Sequence, residues 1–201
     1  MALISALLFA IIVWYLLFGA KLVNFWYGMA IAAGLLAIWS IIWAGSKSRK
    51  RLLQFHLSYI LWGIGSAALL YLIFWVGNAI STRIFPFASG QIAAVYGNKA
   101  QLDPMRIGLL LMFWIGPAEE IFWRGMLQRV LAQRFGANLG WILGALIYAA
   151  VHIWAMNFML FMAALICGMY WGWIYKRFGS AWPGIISHAL WDVFIFLIIP
   201  V

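Results

Sequence analysis

The chain has 201 residues, of which 68% are hydrophobic and only 8% are charged. A soluble domain of this length is typically about half apolar and about a quarter charged, so the composition excludes an ordinary soluble domain. The formal net charge of +9 reflects scarce acidic residues. The sequence shows no basic groove with interleaved aromatic residues, the pattern that would indicate nucleic-acid binding.

Long apolar runs recur along the whole chain and predict an all-α, polytopic integral membrane bundle. A run of about 18 or more apolar residues is long enough to cross the bilayer as a helix. We predict about seven transmembrane helices, or eight if one segment has been missed. The predicted spans are 2–20, 22–45, 56–79, 107–128, 138–157, 158–175 and 181–200.

Basic residues predict the orientation of these spans. The loop SKSRKR at 46–51 is expected in the cytoplasm, because lysine and arginine are enriched in cytoplasmic loops. Alternation from this loop places the N-terminus in the cytoplasm and the 80–106 connection on the other side. Eight basic residues then lie inside and four outside.

The only long connection divides the sequence into two transmembrane parts. Residues 1–80 form a predicted N-terminal part of three helices, and residues 81–106 form an extramembrane loop. Residues 107–201 form a predicted catalytic core of four helices.

Three motifs in the C-terminal part hold most of the ionisable residues within the predicted spans. A charged side chain in the hydrocarbon costs about 2.5–3.5 kcal/mol on insertion scales, so such residues usually face the bundle interior and carry function. The motifs are Glu119-Glu120-x-x-x-Arg124, Tyr148-x-x-x-His152 and His188-x-x-x-Asp192.

Helix geometry predicts how these residues face one another. Glu120 and Arg124 are four residues apart and are expected to pair on one face. Glu119 points about 100° away, so it needs polar partners from other helices. At about 1.5 Å per residue, Glu119 and both motif histidines lie between about 10 and about 21 Å from the basic ends of their helices. We therefore expect one site, in the cytoplasmic half of the C-terminal bundle.

A buried carboxylate beside two imidazoles suits the activation of water for peptide hydrolysis. Glu119 would be the general base, one histidine would orient the water, and the other would donate to the developing oxyanion. The sequence has neither the G-x-S-x-G nor the H-E-x-x-H signature of serine hydrolases and zincins. Histidine and carboxylate also bind Zn²⁺, so a metal site at Glu119, His152 and His188 is the alternative to a metal-free one.

The three motifs, in this order in hydrophobic helices, resemble the CAAX protease and bacteriocin-processing family (CPBP, or Abi) over roughly residues 103–197. The resemblance implies an intramembrane endopeptidase with Glu119 as the catalytic glutamate and His152 as its helper in holding water. His188 and Asp192 would stabilise the oxyanion, with Glu120 and Arg124 in support. Tyr148 stands where the family usually has phenylalanine. Asp192 stands where asparagine is common, so it either donates a hydrogen bond when protonated or orients His188.

The resemblance also implies the setting of the reaction. The substrates are expected to be peptides or protein tails at the lipid bilayer, with or without a lipid group, as in CAAX processing or bacteriocin maturation. The protein is expected to be a multi-pass protein of the plasma membrane. No cofactor is expected unless the reaction requires Zn²⁺. The alternative function is non-enzymatic: a proton or ion relay, or an immunity scaffold that binds a bacteriocin.

Overall fold

The computed structural model describes residues 2–201, and these residues form a bundle of helices without β-strands. The seven long helices coincide with the predicted spans, so the helical membrane fold is confirmed. Five of them are long and apolar enough to cross a membrane: Ala2–Ala20, Phe25–Trp43, Ser58–Ile84, Ala137–Ala155 and Phe158–Phe178. The helices are α1 (Ala2–Ala20), α2 (Phe25–Trp43), α3 (Ser46–Leu52), α4 (Ser58–Ile84), α5 (Ala88–Tyr96), α6 (104–135), α7 (Ala137–Ala155), α8 (Phe158–Phe178) and α9 (Trp182–Ile198).

Two short helices stand where the sequence predicted loops. The basic loop forms α3, which buries Leu52 at its end. The 81–106 connection contains α5 and a 3₁₀ turn, Gly97–Gln101. α4 ends before Phe85, which is extended (ψ 113°) because the following proline disfavours helical backbone at that residue.

α6 is interrupted by two π-helical turns that flank the glutamate pair. Pro117 has no backbone N–H to donate, which weakens the regular helical ladder there. Just before it, the Gly116 N–H donates to the carbonyl of Leu111, five residues earlier. A second π-helical turn follows at Trp123–Gln128. The α-helical segment Gly116–Phe122 therefore carries both glutamates between two turns of a type that is frequent at functional sites.

Helices from both predicted parts of the chain share one hydrophobic core. A single buried cluster contains Trp14 of α1, Leu36 of α2, Leu70 of α4, Leu127 of α6 and Trp171 of α8. The N-terminal helices therefore pack directly on the motif-bearing ones.

The connections gather at two opposite ends of the bundle. At the basic end, the Ala181 N–H donates to the Leu52 carbonyl at 2.9 Å, and Arg129 Nη1 donates to Ser48 Oγ at 3.0 Å. At the loop end, Asn24 Nδ2 donates to the Gln101 carbonyl at 2.8 Å. The basic end comprises residues 44–57, 129–138 and 176–182, and the loop end comprises residues 20–25, 83–106 and 151–158.

Gly63 is where α4 packs against α9, and it gives a test of this fold. A methyl group on Gly63 would lie 2.5 Å from Ile186 Cβ, whereas nothing lies within 4 Å of one on Gly65. Gly63→Ala is expected to destabilise the protein by about 1–3 kcal/mol through overpacking. Gly65→Ala on the same helix should leave stability unchanged or raised, because alanine is the better helix former. Thermal unfolding in detergent measures both, and equal stability of the two variants would contradict this packing.

Candidate active site

The two adjacent glutamates of α6 are both buried but turn toward different helices. Glu119 is 4% exposed, and its Oε2 accepts a hydrogen bond from the Tyr148 hydroxyl of α7 at 3.1 Å. Glu120 is 1% exposed, and its Oε1 lies 3.2 Å from Arg124 Nη1 and 3.0 Å from His188 Nδ1 of α9. The predicted pairing of Glu120 with Arg124 is confirmed, and Glu119 does receive its partner from another helix.

His188 is fixed on three sides. Its Nδ1 faces Glu120, and its Nε2 lies 3.5 Å from Asp192 Oδ2. Its ring stacks on Trp171 at a centroid distance of 3.7 Å and an interplanar angle of 19°. Trp171 is itself held by a hydrogen bond from its Nε1 to Ser187 Oγ at 3.1 Å. The imidazole therefore keeps one orientation between two carboxylates.

His152 lies in the 3₁₀ turn that ends α7. Its Nδ1 is 2.8 Å from the Tyr148 carbonyl, and Trp14 Nε1 of α1 points at its Nε2 from 3.4 Å. Because the carbonyl only accepts, the proton belongs on Nδ1 and Nε2 carries the lone pair. Tyr148 thus contacts Glu119 through its hydroxyl and His152 through its carbonyl. Within residues 2–201, no direct hydrogen bond joins Glu119 to His152.

Arg124 is a buried cation at the back of the site. It is 2% exposed, its Nη2 donates to the Cys167 carbonyl at 3.3 Å, and its guanidinium lies 4.9 Å from the Tyr148 ring centroid. The other oxygen of Glu120, Oε2, has no hydrogen-bond partner among the described residues. A methyl group on Gly184 would lie 2.7 Å from this oxygen, so glycine leaves the space that the carboxylate occupies.

A cavity of about 470 Å³ brings the predicted catalytic residues together. All four of them line it, as does Tyr148, and most of the remaining wall is apolar or aromatic. Its volume is in the range of small-molecule and cofactor sites in proteins. The four catalytic candidates in its wall are Glu119, His152, His188 and Asp192.

The cavity extends from the four catalytic candidates toward the loop end. Its wall includes the beginnings of α2 and α8, the last third of α4, and residues of α5. We expected the site in the half nearer the basic residues; Glu119 and Asp192 lie near the middle of α6 and α9, and the cavity extends from them toward the loop end. The position of a residue along its own helix sets only the depth of its side chain, whereas the direction of the cavity depends on which helix ends spread apart.

The alternative metal ligands do not converge. Among residues 2–201, no three histidine, cysteine, aspartate or glutamate side chains form a group suited to a metal ion. His152 Nε2 faces Trp14, and His188 Nε2 faces Asp192. Glu119 is bound by the Tyr148 hydroxyl instead of sharing a ligand position with either ring.

Two tryptophans contribute to the site without a sequence motif. Trp171 stacks on His188, and Trp14 contacts His152 from the first helix, 138 residues away in sequence. Fourteen tryptophans occur in the chain, and tryptophan is common at membrane interfaces. Nothing in their spacing separates these two from the rest.

Residues 101–194 match the family model described as type II CAAX prenyl endopeptidase Rce1-like. The matched range is 94 of the 201 residues, and this part of the chain is similar to that family. The matched range contains all three motifs and confirms the predicted resemblance to the CAAX protease and bacteriocin-processing family. No curated protein and no solved structure matches the chain. The Rce1-like match implies an intramembrane hydrolase of the protease class.

The neighbouring glutamates should differ sharply in their importance for stability. Glu120→Gln removes the charge that neutralises buried Arg124 and is expected to cost about 3–5 kcal/mol, as for other broken buried pairs. Glu119→Gln keeps an amide oxygen to accept from the Tyr148 hydroxyl and should cost less than about 1.5 kcal/mol. Thermal unfolding of the two variants in the same detergent tests this difference. A larger loss for Glu119→Gln would contradict the assigned contacts.

Proposed function

We propose that the protein is an intramembrane endopeptidase that hydrolyses peptide bonds with a water molecule activated by Glu119. The observation that carries this proposal is the shared cavity, whose wall contains a buried carboxylate and two imidazoles from three helices within the Rce1-like segment. Such groups in a water-poor site are suited to general base catalysis and to stabilising an oxyanion.

Glu119 and His152 hold the water in this proposal. Glu119 accepts one hydrogen bond from Tyr148 through Oε2, which fixes the carboxylate and leaves Oε1 for the water. His152 offers the lone pair of Nε2, because the Tyr148 carbonyl holds its other ring nitrogen. Trp14 Nε1 lies 3.4 Å from that lone pair, beyond the usual range for N–H donors, so a water that displaces it makes the stronger bond.

His188 stabilises the developing charge on the substrate carbonyl oxygen. Its ring lies between Glu120 and Asp192, so an imidazolium there is paired on both sides. Nδ1–H is directed to Glu120, and Nε2–H is the donor to the oxyanion. Glu120 orients the ring through Nδ1–H in this scheme, and the carboxylate of Asp192, 3.5 Å from Nε2, stabilises the imidazolium charge while Nε2–H donates to the oxyanion.

The proposed reaction balances without a covalent enzyme intermediate. Glu119 takes a proton from water, and the hydroxide adds to the carbonyl carbon of the peptide bond. The carbon–nitrogen bond of the tetrahedral intermediate then breaks, and the proton held by Glu119 passes to the leaving amine. The products are a carboxylic acid and an amine, and Glu119 returns to its initial state.

The substrates we propose are peptides or protein tails that reach the bilayer, with or without a lipid group. The wall of the cavity is mainly apolar, with Phe74, Phe158 and Met162 among its residues, which suits hydrophobic segments. CAAX-type tails and bacteriocin precursors both have this character. We further propose a plasma-membrane location with the N-terminus and the basic end in the cytoplasm, since lysine and arginine are retained on that side.

Two substitutions should strongly reduce cleavage by protein that is still folded. Glu119→Gln removes the general base and is expected to reduce kcat by about 10²- to 10⁴-fold. His188→Ala removes an oxyanion donor and is expected to reduce kcat by about 10²- to 10³-fold. The assay uses proteoliposomes and random-sequence quenched fluorescent peptides, half of them carrying a farnesylated cysteine. Thermal unfolding confirms that each variant is folded.

His56→Ala is the matched control for the histidine variant. His56 is exposed, contacts the Tyr59 ring edge to face, and does not line the cavity, so its loss should leave the rate unchanged. Unchanged cleavage by folded Glu119→Gln would refute the proposed mechanism. An absence of cleavage by the unaltered protein, together with ion transport or protection from a bacteriocin that survives both substitutions, would favour the non-enzymatic alternatives.

Removing metal ions distinguishes metal-free hydrolysis from Zn²⁺-dependent hydrolysis, the two mechanisms that the sequence left open. Because the histidines and Glu119 do not form a ligand group, treatment with a strong chelator is expected to leave the cleavage rate unchanged, and added Zn²⁺ should not raise it. Peptide hydrolysis before and after dialysis against the chelator provides the measurement. Loss of activity that Zn²⁺ restores would assign the water to a metal ion.

A further inference from the structure

Asn78 is an asparagine in the interior of a helix that is long enough to cross the membrane. It lies in the last third of α4, about 9 Å along the axis from the end of the helix at Ile84. A polar side chain without a partner is costly in the hydrocarbon, and asparagine there commonly forms hydrogen bonds to a neighbouring helix. The Asn78 amide is therefore expected to have a partner.

Within residues 2–201, however, the Asn78 side chain forms no hydrogen bond. The hydroxyls of Ser81 and Thr82 donate to its backbone carbonyl, at 3.3 and 2.7 Å, and not to its amide. Each of the other four asparagines of the chain does form hydrogen bonds through its side chain, and each lies in a connection or in the first turn of a helix. These four are Asn24, Asn98, Asn138 and Asn157.

Asn78 belongs to the face of α4 that lines the active-site cavity. Phe74, Asn78 and Ser81 follow one another at spacings of four and three residues, which places them on one face of the helix, and all three line the cavity. Trp75 and Ile80, on other faces of the helix, are 56% and 52% exposed. The unpartnered amide is thus in the cavity wall and not between two packed helices.

This part of the wall is close to the catalytic groups. Phe74, one helical turn or about 6 Å before Asn78, packs its ring against Trp191 with a centroid distance of 4.7 Å. Trp191 lines the cavity and precedes Asp192 on α9. An extended peptide advances about 3.3 Å per residue. A segment held at the catalytic groups therefore reaches Asn78 within a few residues.

From these observations we propose that Asn78 is a substrate-binding residue whose amide forms hydrogen bonds with the peptide backbone in the cavity. An asparagine amide has an oxygen that accepts and an NH₂ group that donates, and these match the N–H and C=O groups of an extended peptide. Backbone groups enclosed by apolar walls need such partners, because an unpaired one is costly. Asn78 provides the one side-chain amide among the residues that line the cavity.

The proposal, which rests on the proposed function, also assigns an occupant to this part of the cavity. A hydrocarbon chain has no group that an amide can bind, so the wall around Asn78 and Ser81 receives the peptide segment and not a lipid group. The aromatic and aliphatic remainder of the wall is left for apolar side chains or a lipid group of the substrate.

Replacing the amide by an apolar group of similar size tests this role, with one quenched peptide that the unaltered protein cleaves in proteoliposomes. Asn78→Leu is expected to raise KM about 3- to 30-fold, the effect of losing one or two neutral hydrogen bonds, with kcat within about two-fold. Thermal unfolding in detergent should show equal or higher stability, because an unpaired amide has been removed from the membrane. An asparagine with a structural role would show lower stability.

Three further variants accompany this test. Asn78→Ala gives the same readout without the bulk of leucine, and Asn78→Gln retains both hydrogen-bonding groups and should recover part of the affinity. Ser66→Ala is the matched control, because Ser66 is a partly buried polar residue of the same helix that does not line the cavity. Its loss should leave KM unchanged.

Ester-containing peptides test whether the amide binds the backbone. In each, one backbone N–H is replaced by oxygen at a position other than the cleaved bond, which removes the donor to Asn78 Oδ1. At one position the ester should raise KM for the unaltered protein. The same ester should have little further effect on Asn78→Leu, because the interaction has already been lost and the two changes are not additive.

An unchanged KM for folded Asn78→Leu, a loss of its stability, or an ester effect that persists undiminished in this variant would each overturn the inference. Cleavage that still depends on Glu119 would in those cases support the proposed hydrolysis. The absence of cleavage by the unaltered protein refutes the proposed function itself, so the two failures are distinguishable.

Discussion

The site depends on one oxygen atom, Glu120 Oε1, which lies within 3.2 Å of Arg124 Nη1 and 3.0 Å of His188 Nδ1. The three side chains are almost fully buried. In a medium of low dielectric constant an unpaired charge is strongly unfavourable, so the guanidinium, the carboxylate and the imidazole must remain together. This requirement connects α6 to α9 and fixes the ring of His188. Gly184 and the stacked Trp171 provide the space and the flat surface that the arrangement needs.

Glu119 has a different environment although it is the next residue. Its partner is a neutral hydroxyl from α7, which can hold a carboxylate in place without cancelling its charge. The same tyrosine holds His152 through its carbonyl, so one residue positions both members of the proposed water-binding pair. Both glutamates lie in the regular α-helical segment Gly116–Phe122, where adjacent side chains point about 100° apart and so reach different helices.

The bundle is asymmetric along its axis. At the basic end, the short helix α3 packs its one buried residue, Leu52, against Gly125 of α6, where α6 meets α9. At the loop end, α4 and α8 are joined through α5, and the space between them is the cavity. An apolar cavity inside a membrane bundle is compatible with hydrophobic substrates, while the few polar groups at its inner end provide the chemistry.

The sequence alone determined the properties that depend on local pattern. Hydropathy predicted the seven long helices, and four-residue spacing predicted the Glu120–Arg124 pair, because both follow from the geometry of a single helix. The burial of Glu119 also followed, since its charge has no partner on α6. Only the tertiary structure decided that His188 turns to Glu120, that Trp14 and Trp171 join the site, and that the cavity faces the loop end. These features depend on contacts between helices far apart in sequence, and a side chain's own helix contains no information about which distant helix will meet it.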